Sequence, residues 1–335
     1  MIEARDLTKR YGQKLAVNNL SFSVQPGTVT GFLGPNGAGK STTMRLLLGL
    51  DRPNSGTATI AGVPYRDLPS PLRTVGALLE ARAVHTGRSA FNHLLVLAQT
   101  QGLPKRRVYE VMELVGLTDV VGKRTGGFSL GMSQRLGLAA ALLGDPRVLL
   151  LDEPVNGLDP EGILWIRNLM KHLAGQGRTV FVSSHLMNEM AVTADHLIVI
   201  GRGELIANSS TQEFIGRAST GTVLVRTPDP ARLASAITAD GGQVTQDTTA
   251  PQPGQPPALI VTGTPAPRIG ELAAASAIVL HELTPQMASL EQAFMEMTSD
   301  SVEYGHRAEG SPPEGAAPPP GHGAETLHPT ERSSR

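Results

Sequence analysis

Short, continuous apolar runs bounded by glycine or proline recur along the first two thirds of the chain, with helix-period segments between them. "TVTGFLG" leads into "KSTTMRLLLGL", and "RVLLLDEP" and "RTVFVSSH" follow, each succeeded by helix-like sequence. Runs of this kind mark strands buried on both faces, so the pattern predicts a largely parallel sheet covered on both sides. It holds from Met1 to about Arg217. "DHLIVIGRGELIANSS" differs, because Gly201 to Gly203 provide a tight turn between two short strands, a hairpin. Between Ala90 and Gly122 the period becomes helical ("FNHLLVLAQTQGL", "KRRVYEVMELVGL"), which predicts a helical subdomain at about residues 85–140.

Beyond Arg217 the pattern changes. "TVLVRT", "GQVTQD", "ALIVTG" and "AIVLHEL" predict strands, with helices at "DPARLASAITAD" and "APRIGELAAAS" and a last amphipathic helix in "MASLEQAFMEMTS". Residues 218–299 therefore read as a small α+β domain interrupted by the loop "TAPQPGQPP". Residues 300–335, rich in Pro, Gly and small polar residues, bury too little apolar area to offset chain entropy and are expected to be a disordered tail.

A chain of 335 residues accommodates two such domains. The balance of 29 basic against 30 acidic residues implies no global attraction to nucleic acid or to an anionic membrane. Without cysteine, disulfides and thiol catalysis are excluded. The N-terminus is too polar for a secretory signal, and no window approaches the roughly 18 apolar residues of a membrane span. A soluble chain is expected, with any membrane role exercised through a partner.

Candidate chemistry begins at "GPNGAGKST", Gly34 to Thr42, which fits G-x-x-x-x-G-K-[ST] between a strand and a helix. Glycines let successive N–H groups point at phosphate oxygens, and the following helix N-terminus favours an anion. Lys40 can reach the β- and γ-phosphates while the Ser41 hydroxyl ligates Mg²⁺. A plain helix-capping turn is the alternative. Such a site needs a buried strand ending in a carboxylate, and "VLLLDEP" supplies one. Asp152 can hold Mg²⁺ and Glu153 can orient or deprotonate the attacking water, although "DE" could also open an exposed turn. His185, at the end of "RTVFVSSH", can touch the γ-phosphate or the water. Tyr11 can stack on an adenine or simply pack. His306, His322 and His328 have no ligand-like spacing.

Together these residues resemble the ATP-binding subunit of an ABC transporter, over Met1 to about Arg217 and in the expected order. Tyr11 aligns with the adenine-stacking aromatic and Gly34–Thr42 with Walker A, which includes Asn36, Gly37, Ala38, Gly39, Lys40, Ser41 and Thr42. Ser129–Gly131 align with the signature, Val148–Glu153 with Walker B, Gly157–Asp159 with the D-loop and His185 with the switch histidine. The resemblance implies a P-loop NTPase fold of ABC type: a mostly parallel sheet, an antiparallel β part and a helical subdomain. It implies ATP and Mg²⁺ as ligands, with Ser41, Asp152 and Glu80 facing the metal. Two departures stand out. Glu80 occupies the place of the usual loop glutamine, and "FSLGM" replaces LSGGQ, with Leu130 for the first glycine and Met132 for the glutamine. Both variants, and the C-terminal domain ending "SLEQAFMEMTSD", are similar to the drug- and antibiotic-export branch that includes daunorubicin- and bacitracin-type exporters.

The function this implies is hydrolysis of ATP to drive export of a drug, antibiotic or other hydrophobic compound through a separate multi-span membrane permease. The working form would be a homodimer or a dimer with a paralogous ATPase subunit, cytoplasmic and peripheral on the inner face of the cell membrane. Ser129 and the N–H groups around Gly131 would cap the γ-phosphate held by the other subunit. The alternatives are a soluble ABC-type ATPase acting on ribosomes or DNA, and a nucleotide-dependent self-resistance or regulatory protein that does not pump.

Overall fold

The computed structural model describes residues 1–80, 83–218, 222–246, 258–286 and 289–298, all of which belong to one unit running from Met1 to Glu303. At its centre lie β3 (Val29–Leu33), β5 (Val75–Leu78), β6 (Val148–Asp152), β7 (Thr179–Ser183), β8 (His196–Gly201) and β9 (Glu204–Ser210). They form one sheet in the order β5-β6-β7-β3-β8-β9. Neighbours are parallel except β8 and β9, which form the hairpin expected at Gly201–Gly203.

Side-chain alternation divides this sheet between two cores. Leu149, Leu151, Val180, Val182, Leu197 and Val199 enter one; Leu150, Phe181, Ile198 and Ile200 enter the other. That is the period of two imposed by a strand covered on both faces. The first core is roofed by helices α3 (Ala90–Thr100), α4 (Lys105–Leu114), α5 (Leu130–Leu142), α6 (Pro160–Gly175), α7 (Met187–Thr193) and α8 (Thr211–Ala218).

The second core is closed by α1 (Lys40–Leu47) and by an antiparallel sheet. Its strands are β1 (Ile2–Tyr11), β2 (Lys14–Val24) and β4 (Ser55–Ile60), in the order β2-β1-β4. Phe22 of β2 meets Phe32 and Phe181 across the gap, with ring centroids 5.8 and 5.7 Å apart. A one-turn helix, α2 (Pro71–Thr74), leads into β5.

The C-terminal region runs β10 (Thr222–Arg226), α9 (Pro230–Ala239), β11 (Gln243–Gln246), β12 (Ala258–Thr262), α10 (Ala266–Ala275) and β13 (Glu282–Gln286). The sheet is antiparallel in the order β11-β12-β10-β13, the ferredoxin-like arrangement of a split βαβ motif. It has its own core, built on Val223, Val225, Leu233, Ile237, Val261 and Ile269.

One predicted strand is displaced. "AIVLHEL" does not pair as a unit: Ala277 has φ 52° and the Ile278 N–H bonds the Ala273 carbonyl, so this stretch closes the end of α10. Pairing begins when the His281 N–H reaches the Arg226 carbonyl and runs on through Pro285. A proline is tolerated there because β13 is an edge strand.

The last helix, α11 (Leu290–Thr298), joins the first core instead: its Leu290, Ala293 and Phe294 cluster with Met190 of α7 and Phe214 of α8. The loop "TAPQPGQPP" and the tail at 300–335 lie outside the described residues.

Candidate nucleotide site

The turn between β3 and α1 carries the phosphate-loop sequence. Lys40 opens α1 and is only 8% exposed. Its Nζ donates to the Gly34 carbonyl at 2.6 Å and the Pro35 carbonyl at 3.2 Å, so the amine is held inside the curl of the loop. Burial pushes the Lys40 pKa down, and the carboxylates of Glu153 and Asp152 pull it back up. Gly39 sits at φ 105°, and a Cβ there would lie 2.4 Å from the Ala16 carbonyl oxygen. No side chain fits at that corner.

A cavity of about 340 Å³ opens over this loop. Asn36, Gly37, Gly39, Lys40, Ser41 and Thr42 line it from the loop and helix. Tyr11, Asp152 and Glu153 line it from elsewhere. Gly34 and Ala38 are buried behind the loop. Lys14 and Ala16 also face the cavity, and neither stood out in the sequence. The register pairing Lys14 with Tyr11 at the β1–β2 turn is the signal that could have found Lys14.

Asp152 ends β6 and Glu153 follows it. The Ser183 hydroxyl, at the end of β7, donates to the Asp152 carboxylate. It accepts from the Glu153 N–H at 3.1 Å, and the Ser183 carbonyl accepts from the same N–H at 3.2 Å. Glu153 lies at φ 49°, in the left-handed region that costs a residue with a Cβ roughly 1–2 kcal/mol. Its carbonyl accepts from Gln134 Nε2 at 3.0 Å. Its carboxylate reaches His185: Oε2 is 2.7 Å from Nδ1 and accepts the His185 N–H at 3.3 Å. Asp152, Glu153 and His185 are thus brought together, with Ser183 and Gln134 as partners. Ser183 precedes His185 by only two residues, but its role follows from the β6–β7 pairing of Asp152 with Ser183.

Tyr11 is 45% exposed at the cavity wall. Its hydroxyl donates to Asp51 Oδ2 at 2.7 Å, and Lys9 Nζ lies 4.8 Å from the ring centroid. Arg45 and then the Tyr11 hydroxyl hold the Asp51 carboxyl down to about 2.

His185 joins the site through Glu153 without lining the cavity, and four further candidates do not line it either. Glu80 is exposed just past β5, and Ala81 and Arg82 beside it lie outside the described residues. Ser129 is the N-cap of α5, its Oγ accepting the Met132 N–H at 3.2 Å. Gly131 follows in the first turn of that helix, half-buried. Asp159 caps α6 by accepting the Gly162 N–H at 3.0 Å. The turns leading into α5 and α6 meet where Leu130 packs on Gly157. That glycine has φ 75°, and a Cβ on it would lie 2.4 Å from the Leu130 side chain.

No group of three or more His, Cys, Asp or Glu side chains able to hold a metal exists among the described residues. The cavity wall nevertheless offers the Ser41 hydroxyl and the Asp152 carboxylate. That sparse oxygen set suits Mg²⁺, which keeps waters and phosphate oxygens as its other ligands.

A parallel sheet with a lysine-closed phosphate loop at one strand end and an Asp-Glu pair at another defines a P-loop ATPase. The helical layer, the antiparallel β layer and the exposed signature helix make it one of the ABC type. The family model for ABC transporters matches residues 17–156, and a domain of unknown function (DUF8746) matches residues 221–291. The bacitracin transport ATP-binding protein BcrA of Bacillus licheniformis is 44% identical, over 62% of this chain and 68% of that protein. The uncharacterized ABC transporter ATP-binding protein YhcH of Bacillus subtilis is 35% identical, over 90% and 97%. The lantibiotic transport ATP-binding protein SrtF of Streptococcus pyogenes is 36% identical, over 62% and 89%.

Among solved structures, an ATP-binding subunit of an ABC transporter superposes with a TM-score of 0.60 at 25% identity, covering 65% of this chain and 92% of that one. The dimeric structure of MJ0796, a bacterial ABC transporter cassette, gives 0.58 at 25%, covering 63% and 99%. The chain belongs to the ABC transporter ATP-binding family; it binds ATP and is an ATPase of that family.

Proposed function

We propose that this chain energises export of a drug, antibiotic or other hydrophobic compound through a separate membrane permease, from the cytoplasmic face of the cell membrane. No helix of the described residues is long and apolar enough to cross a membrane, so the transport path belongs to another subunit. The carrying observation is that the cavity over Lys40 contains its own Walker residues but neither Ser129 nor Gly131. The signature is exposed at a helix N-terminus, where a second ATPase subunit, identical or paralogous, would bring its nucleotide. BcrA, a bacitracin transport ATP-binding protein, and SrtF, a lantibiotic transport ATP-binding protein, support an antibiotic as the cargo class.

In this reading Tyr11 stacks on the adenine, while Lys40 and the loop from Gly34 to Thr42 hold the phosphates. Mg²⁺, held by Ser41 and Asp152, would neutralise phosphate charge. Glu153 orients and accepts the proton of the attacking water, and His185, already paired with its carboxylate, fixes that group near the γ-phosphate. Ser129 and the N–H groups around Gly131 cap the partner's γ-phosphate, and Asp159 lies at the same face. Glu80 responds to Mg·ATP and passes the change to the helical layer.

Glu153→Gln should reduce turnover by about 10² or more, the scale of a lost general base, while ATP binding persists and the closed dimer accumulates. Unchanged turnover in that variant would remove Glu153 from the chemistry. For the transport step, a multi-span membrane protein should be encoded beside this gene, and ATPase activity should rise when the two are reconstituted together in lipid. If no membrane protein stimulates it, the export reading fails.

A further inference from the structure

Gln134 is a buried polar side chain that the proposed cycle leaves without a task. It is 3% exposed, lies on α5 beyond the signature residues, and spends its amide on one contact, the Glu153 carbonyl at 3.0 Å. A carbonyl only accepts, so the Gln134 NH₂ must face it.

The residue it holds is an unusual one. Glu153 stands at φ 49°, and a non-glycine residue keeps that conformation only where its surroundings over-determine it. Both of its peptide groups are tied. Ser183 takes the leading N–H through its hydroxyl and its carbonyl, and the trailing carbonyl accepts from Gln134 Nε2 at 3.0 Å and, within the turn itself, from the Asn156 N–H at 3.2 Å. The turn's own Asn156 contact is local, whereas Ser183 and Gln134 tie it to β7 and α5; together they set the direction of the Glu153 Cα–Cβ bond, and with it the carboxylate that meets His185 and borders the cavity.

We infer that Gln134 is a positioning residue for Glu153. Its amide clamps the left-handed turn from the side opposite Ser183, and so keeps the carboxylate aimed at the water site. The inference rests on the reading of Glu153 as the base. It adds a consequence for the dimer, because the clamp sits on the helix that begins at Ser129, and Leu130 of that helix also packs on Gly157. The helix that would read the partner's nucleotide therefore grips the turn carrying this chain's own glutamate at two points. A shift of α5 on nucleotide contact changes both together, a short physical link between the two ATP sites.

The test uses the full-length chain. Gln134→Met keeps length and packing but removes the donor. Its turnover at saturating ATP should fall by roughly 10-fold or more, while the Kd for a fluorescent ATP analogue stays within about twofold and the melting temperature within a few degrees. Made on the Glu153→Gln background, it should add almost nothing, since both changes act through one carboxylate.

Should Gln134→Met fail to fold, Gln134→Asn carries the same test, keeping a polar head that stops one bond short of the carbonyl. If the Gln134 variant turns over at the normal rate while Glu153→Gln is inactive, the clamp is wrong and the base assignment stands. If Glu153→Gln itself remains active, the underlying site reading fails. A matching loss of ATP binding, or losses that multiply on the Glu153→Gln background, assigns Gln134 to general packing and overturns the inference.

Discussion

The phosphate loop and the signature stretch both deliver a glycine-containing turn into the N-terminus of a helix, and they are built in opposite ways. The loop is finished within its own chain. Lys40 is folded back onto the Gly34 and Pro35 carbonyls, and Gly39 is pressed against the Ala16 carbonyl. Behind them stand Asp152 and Glu153, held by Ser183 and Gln134. The signature stretch presents an exposed serine and an exposed Leu130, and its Ser129 hydroxyl has only its own helix to cap. A closed turn of the first kind can bind an anion alone. An open one of the second kind offers donors to something that has yet to arrive.

Breaking the closed turn should have the largest effect. Gly39→Ala puts a Cβ into a carbonyl at a φ that L residues rarely adopt, a strain of at least about 1–3 kcal/mol before the clash. We expect ATP binding by the isolated chain to be lost in a nucleotide titration; retained affinity would mean that the loop rearranges more freely than its packing implies.

Ser129→Ala should do the reverse. It removes one cap, worth about 1 kcal/mol of helix stability, and leaves ATP binding by the monomer intact. ATP-driven dimerisation and turnover should nevertheless drop by roughly 10-fold or more. Equal dimerisation by light scattering would place the signature outside the site.

A smaller effect is expected where the two regions touch. Gly157→Ala meets the Leu130 side chain and should destabilise by about 1–3 kcal/mol. On a Leu130→Gly background part of that loss should return, because the steric share disappears while the φ of 75° remains. Full additivity in thermal melts would mean that the two residues do not interlock. The mildest change is Glu80→Gln. It exchanges a charge at an exposed position away from the cavity wall, so ATP affinity should stay within about twofold while stimulation by the membrane partner changes. Loss of ATP binding in that variant would refute the sensor role.

Much of this could be read along the chain because the chemistry is local. A strand, a glycine loop, a lysine and a helix follow one another from Val29 to Leu47, and their spacing alone specifies a phosphate cradle. The buried run from Val148 ends in its two acids for the same reason. Strand periodicity also foretold most of the central sheet, though not the four-residue β5, and most of the accessory one.

The failures lie where a partner is distant or a local rule is overridden. "AIVLHEL" carries the hydrophobicity of a strand, but the end of α10 uses its first residues as a cap, and pairing waits for His281. The terminal helix is amphipathic in the sequence, yet nothing in it shows that Phe294 would be buried beside Met190 and Phe214 rather than in the accessory core.

The sequence by itself thus determined the family, the phosphate-loop motif, the acidic pair and most of the elements, because each depends on residues close in the chain whose conformations are set by sterics and period. Only the tertiary structure decided that Glu153 is strained, that Ser183 and Gln134 hold it from either side, and that Leu130 rests on Gly157. Those contacts join residues from separate elements, and hydrogen-bond geometry and hard-sphere packing have no expression until the sheet and its helices bring them within a few ångströms.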